Sequence, residues 1–291
     1  MSVNKHVLFT RLLINQFAAQ QAAEVAAFFD EETQKELAAS SLDQADPQLL
    51  FSGFSSWLDS VHYSWLLEPI QTIKEPIRNL IIAQLPEKQQ RGLMQHSLSP
   101  LAPTSSLVGQ KFLFHTLKKI CGDLPLLPRT FLSPSPLDPL LSLSKQELVT
   151  VIDLLSMHDL AEEMRHIVNK KLLQPIIANL SNNQQKYLKR ILHQKSKATI
   201  SPLNIKELYT NKSLFLKTLH KRGLKRLSIA LSGGEFLFTQ HLAHILDTGR
   251  GKILLDLYQQ MEIPTSSTIM RQQALQIVQL IQSKDKQNGI S

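Results

Sequence analysis

Apolar residues recur at steps of three and four along most of the chain, the spacing that gathers them on one side of an α-helix. Between Val7 and Ala39 that side is Ile14, Ala18, Ala22, Val25 and Phe29. Asp46 and Pro47 predict the start of a second helix carrying Leu50, Phe54, Trp57 and Leu58, with proline tolerated in a first turn. From His62 to Gln95 the pattern continues, punctuated by Pro69, Pro76 and Pro86. Proline removes a helix hydrogen bond, so several short helices are expected there. No alternating strand pattern occurs.

The second half is easier to read. Ser144 and Glu147 form a capping box ahead of Leu148, Ile152, Leu155, Leu160, Met164 and Ile167. In such a box the serine and the glutamate each satisfy a backbone N–H that the helix leaves open. Ser181 and Gln184 repeat the device before Leu188, Ile191 and Leu192. Further helices are predicted over 204–231, 235–247, 252–261 and 266–283. Gly233 and Gly234 should end one of them, and Gly249 and Gly251 another.

Residues 97–139 hold seven of the 14 prolines around one helix, Leu107 to Ile120. That divides the chain into a helical domain over 1–97, a Pro-rich linker over 98–139 and a helical domain over 140–291. The expected fold is all-α, built as stacked helical hairpins in two subdomains, in the manner of armadillo repeats. A short repeat points the same way. Ala83 to Leu93 and Ala178 to Leu188 share A-x-L-x-x-x-Q-Q-basic-x-L at an offset of 95 residues. Leu66-Leu67-Glu68-Pro69-Ile70 echoes Leu172-Leu173-Gln174-Pro175-Ile176, but at an offset of 106. Either a helical hairpin was duplicated and its spacing drifted, or a Leu- and Gln-rich chain repeats itself by coincidence.

Composition adds limits. Aromatic residues are 6% of the chain, so leucine, isoleucine and alanine must fill the core. The single cysteine, Cys121, rules out an internal disulfide and reads as a small buried apolar group. No apolar run approaches the roughly 18 residues of a membrane helix. No signal-peptide core follows Lys5, because Arg11, Asn15 and Gln16 interrupt it. These features predict a cytoplasmic protein.

Net charge is +8, and it is unevenly spread. Residues 1–145 hold 12 basic and 13 acidic side chains, whereas 186–226 hold 12 basic and only one acid, Glu207. Lys217, Lys221 and Lys225 fall at i, i+4 and i+8, flanked by Arg222 and Arg226. On one helix they form a positive stripe, with Leu216, Leu219, Leu227 and Ala230 opposite. Gly223 falls on the apolar side, where it either lets another helix approach closely or breaks the helix. Lys217, Lys221, Arg222, Lys225 and Arg226 are therefore the candidate partner-binding residues. A stripe of this kind is either an ordinary solvated helix face or a surface for an acidic protein partner; a nucleic-acid backbone is a third reading.

The remaining motifs carry less chemistry. Leu231-Ser232-Gly233-Gly234-Glu235 resembles the signature loop of ABC ATPases, but no phosphate-binding G-x-x-x-x-G-K-[ST] accompanies it, so it reads as a glycine-rich helix end. His241, His244 and Asp247 follow one another along a helix, short of a full ligand set for a metal. A catalytic elbow of the G-x-S-x-G type is missing. The chain is thus expected to be no enzyme and to need no cofactor.

The stretch Leu66-Leu67-Glu68-Pro69-Ile70, followed by Leu85-Pro86-Glu87-Lys88-Gln89-Gln90, resembles SctK-like accessory proteins of the type III secretion sorting platform. Helices entered through Pro86 to Gln90 and Ser181 to Gln185 also resemble the helical repeats of FliG, the flagellar motor-switch protein. FliG's charged torque helix has no counterpart here, so motor function does not carry over. The SctK resemblance implies a cytosolic adaptor beside a membrane-bound secretion apparatus, working through protein partners.

Overall fold

The computed structural model describes residues 5–39, 53–96, 106–121, 128–167, 173–194, 203, 205, 210–260 and 266–288. Among them every regular element is a helix, as expected. The chain runs through α1 (Lys5–Phe17), α2 (Ala22–Ala26), α3 (Glu31–Ala39), α4 (Gly53–Ser60), α5 (Ser64–Gln71), α6 (Glu75–Gln84), α7 (Glu87–Met94) and α8 (Leu107–Ile120). It continues through α9 (Lys145–Arg165), α10 (Leu173–Ala178), α11 (Asn182–Ile191), α12 (Lys212–Leu231), α13 (Phe236–Ile245), α14 (Thr248–Gln259) and α15 (Ser267–Asn288). None of these helices is long and apolar enough to cross a membrane.

The helices form two compact units. The first comprises Met1–Pro134 and Glu235–Thr248, the second Ser135–Gly234 and Gly249–Ser291. Two segments sit elsewhere than a linear reading places them. α8, assigned from sequence to the Pro-rich linker, buries Leu113 and Leu117 in the core of the first unit. α13, assigned to the C-terminal domain, also belongs to the first unit. Both helices have an apolar side that needs cover, and chain position does not reveal which neighbour supplies it.

In the first unit Trp57, Val61, Leu66, Ile70, Ile82 and Leu93 are almost wholly buried together. Each such side chain contributes about 1.5–3 kcal/mol of transfer free energy. Gln89 is buried among them at 1% exposure. Its Nε2 donates to the carbonyls of Leu58 (2.5 Å) and Val61 (3.0 Å), which the end of α4 leaves without helical partners. Of the three prolines, Pro76 opens α6 and Pro86 caps α7, but Pro69 lies inside α5. The apolar run 7–39 breaks into α1, α2 and α3 around a short 3-10 turn at Ala19–Gln21. The helix start predicted at Asp46 and Pro47 lies outside the described residues.

In the second unit α9 is the central helix. It buries residues on every side, from Leu148 and Ile152 to Ser156, His158 and Asp159. α11, α12 and α15 pack around it. Both capping boxes form. Glu147 Oε2 accepts from Ser144 N at 2.6 Å, and Gln184 Oε1 accepts from Ser181 N at 2.9 Å.

The repeated segment has the same local structure in each unit. Gln90 Nε2 donates to Leu85 O at 2.7 Å, and Gln185 Nε2 donates to Leu180 O at 3.0 Å. Each bond satisfies a carbonyl in the turn that follows the preceding helix, which ends at Gln84 in one copy and at Ala178 in the other. Ile81, Leu85 and Leu93 are buried in one copy, Ile176, Leu180 and Leu188 in the other. The likeness extends upstream at the same offset, Ile81-Ile82-Ala83 matching Ile176-Ile177-Ala178. The proline echo is different: Pro69-Ile70 lies on α5, a helix before the hairpin, whereas Pro175-Ile176 lies on the hairpin's own first helix.

Candidate docking face

α12 is an unbroken helix of 20 residues through Gly223. A Cβ at that position would stand 1.9 Å from the carbonyl oxygen of Ile152. Glycine here permits close approach of α12 to α9 and does not mark a break. That approach fixes which side of α12 is buried. Phe215, Leu219, Leu224, Leu227 and Ala230 turn inward, and Leu216 is half-buried.

The five candidate residues separate into two groups. Lys217 and Lys221 are exposed, and Arg222 and Lys225 half-exposed. Among the described residues Lys217, Lys221 and Lys225 form no ion pair. Arg226 does not belong with them: it is 1% exposed. Its Nε (2.9 Å) and Nη2 (2.6 Å) both donate to Asp159 Oδ1, and its Nη1 donates to Gln273 Oε1 at 2.8 Å. It ties α12 to α9 and α15. Position 226 lies one residue beyond 225, a rotation of about 100° that carries it off the stripe and into the core.

A second polar bridge lies on the flank of α12. Asp153 Oδ1 is 2.6 Å from His220 Nδ1, and Arg250 Nε donates to His220 Nε2 at 2.9 Å. Because the arginine can only donate, Nε2 accepts and Nδ1 carries the proton toward Asp153. This bridge joins α9, α12 and α14. A third joins α9 to α11 through His158 Nε2 and the Tyr187 hydroxyl, 2.9 Å apart. Burial, reinforced by Arg226 and Arg165, holds the His158 pKa down at about 3, and burial pushes Tyr187 up to about 12. These bridges use side chains of α9 that one apolar face could not reveal.

The other motifs also take structural places. Burial raises the Cys121 thiol to about 12, which keeps it from the thiolate form at neutral pH. His241 and His244 are buried on α13. His244 packs between two indoles, with ring centroids 5.6 Å from Trp57 and 4.4 Å from Trp65. Its Nδ1 donates to Gln240 O at 2.7 Å, and burial lowers its pKa to about 4. No group of three or more histidine, cysteine or acidic side chains suited to a metal occurs among the described residues.

Gly233 has φ 79°, the left-handed turn that ends α12, and Gly234 N returns to Leu231 O at 3.1 Å. Arg271 donates to the carbonyls of Ala230 and Ser232, and the Tyr258 hydroxyl to that of Gly234. Gly249 and Gly251 do not end a helix as expected. They lie in the first turn of α14, because the chain turns earlier, at Leu246, whose backbone is extended. Compared with known proteins, the chain matches no family model, no curated protein and no solved structure.

Proposed function

We propose that this chain is a non-enzymatic adaptor that binds other proteins along the outward face of α12. One observation carries this reading. α12 is anchored inward by Gly223 and Arg226, while Lys217, Lys221 and Lys225 lie on its outer side and form no ion pair among the described residues. Uncompensated charges on a rigid, well-anchored helix suit recognition, since they steer an oppositely charged surface and set its register. The ionisable groups of the second unit's core support the same reading, because they bridge helices. The place of action follows the SctK and FliG resemblance: the cytoplasmic side of a type III secretion or motor-switch-like assembly.

The test is site-specific photocrosslinking in cells, with the reactive residue at position 221 and a control at Gln272, which is exposed on α15. The reading expects discrete crosslinked proteins from position 221 only. Nuclease-sensitive adducts at 221 would move the function to nucleic acid, and equal labelling at both positions would remove the docking face.

A further inference from the structure

The chain carries a surface complementary to its own basic face. Residues 24–36 contain five acids, Glu24, Asp30, Glu31, Glu32 and Glu36, against one base, Lys35. All five acids are exposed, at the corner where α2 leads into α3. Asp30 is used locally, accepting from Thr33 N (2.8 Å) and Oγ1 (2.9 Å). Glu24, Glu31, Glu32 and Glu36 form no ion pair among the described residues. Phe28 stands among them at 88% exposure, a large apolar surface left to water.

The basic face has matching features. Leu214 is 49% exposed three residues before Lys217. Glu32 and Glu36 are four residues apart on α3, as Lys217, Lys221 and Lys225 are on α12, so both rows advance about 6 Å per charge along their helices. Each surface joins an exposed apolar group to a row of charges that form no ion pair among the described residues, and the signs are opposite. We propose that the outward face of α12 docks the acidic α2–α3 corner of a second copy of this chain, with Leu214 meeting Phe28. The contact joins different patches on the two copies, so it is heterologous. The inference rests on reading α12 as a docking face and names what occupies it.

Sedimentation velocity on the full chain, at about 0.05 M and about 0.5 M salt, tests this. The expected result is a mass above that of one chain at low salt, with association weakened roughly tenfold or more at high salt. Lys217→Glu/Lys221→Glu/Lys225→Glu and Glu24→Lys/Glu32→Lys/Glu36→Lys should each stay monomeric alone. Mixed, they should associate again, which also shows that both variants are folded. A wild-type chain that stays monomeric at about 100 µM in low salt overturns the inference, as does salt-independent association or a mixture that fails to associate. Monomeric behaviour together with a different protein crosslinked at position 221 would end self-association and leave the docking face standing.

Discussion

Arg226 and Asp159 meet in the interior of the second unit, the guanidinium giving two hydrogen bonds to one carboxylate oxygen at 2.9 and 2.6 Å. Both residues are almost fully removed from solvent. Removing one partner leaves a buried charge uncompensated, so Arg226→Ala is expected to destabilise the chain by about 3–5 kcal/mol. Arg226→Met combined with Asp159→Leu should lose much less, since it removes both charges and restores volume. Urea unfolding of the three proteins measures the difference.

The Gly223 contact predicts a steep response to a single methyl group. Gly223→Ala drives Cβ into the backbone of Ile152, which cannot rotate away. A loss of about 2–4 kcal/mol is expected. Gly92→Ala meets the Tyr63 ring at 2.2 Å instead. A side chain can shift, so the loss there should be smaller. Thermal denaturation of the two variants gives the order.

Acid should unfold the protein through its buried histidines. The folded values of His158 and His244, about 3 and about 4, lie below the ordinary 6.5. As pH falls, the unfolded chain therefore takes up protons first. The contribution of these two histidines is fully present above about pH 6.5 and is lost progressively toward pH 4 and 3, by several kcal/mol in all. His244→Phe, flanked by the two indoles, should move the acid transition to lower pH in a circular-dichroism titration.

The helix–turn–helix segments predict matched small effects. Gln90→Ala and Gln185→Ala each remove a side-chain bond to a carbonyl in the turn between the two helices, that of Leu85 or of Leu180. Each should lower stability by about 1 kcal/mol. Chemical denaturation of both single variants checks whether the two positions are equivalent.

Helices were legible wherever local chemistry marks them. Ser144–Glu147 and Ser181–Gln184 are self-contained signals, and both form as read. The apolar side of α12 was legible too, down to the place of Gly223. What sequence hid was non-local. Arg226 reads as one more base in a basic run, and only Asp159 and Gln273, 67 and 47 residues away, make it a core residue. α9 shows one apolar stripe but is buried on every side over residues 154–161, so its polar residues there look like solvent contacts until α11, α12 and α15 cover them. Gly249 and Gly251 carry stop-like identities, yet the turn at Leu246 precedes them.

The account turns on α12 holding the fold with one side and leaving the other for recognition. The most direct measurement is equilibrium unfolding of Lys217→Glu/Lys221→Glu/Lys225→Glu, read beside photocrosslinking from position 214 in the same variant. The account predicts a stability within about 0.5 kcal/mol of wild type and loss of the crosslinked protein. A drop as large as that of Arg226→Ala, or crosslinking that persists unchanged, would contradict it.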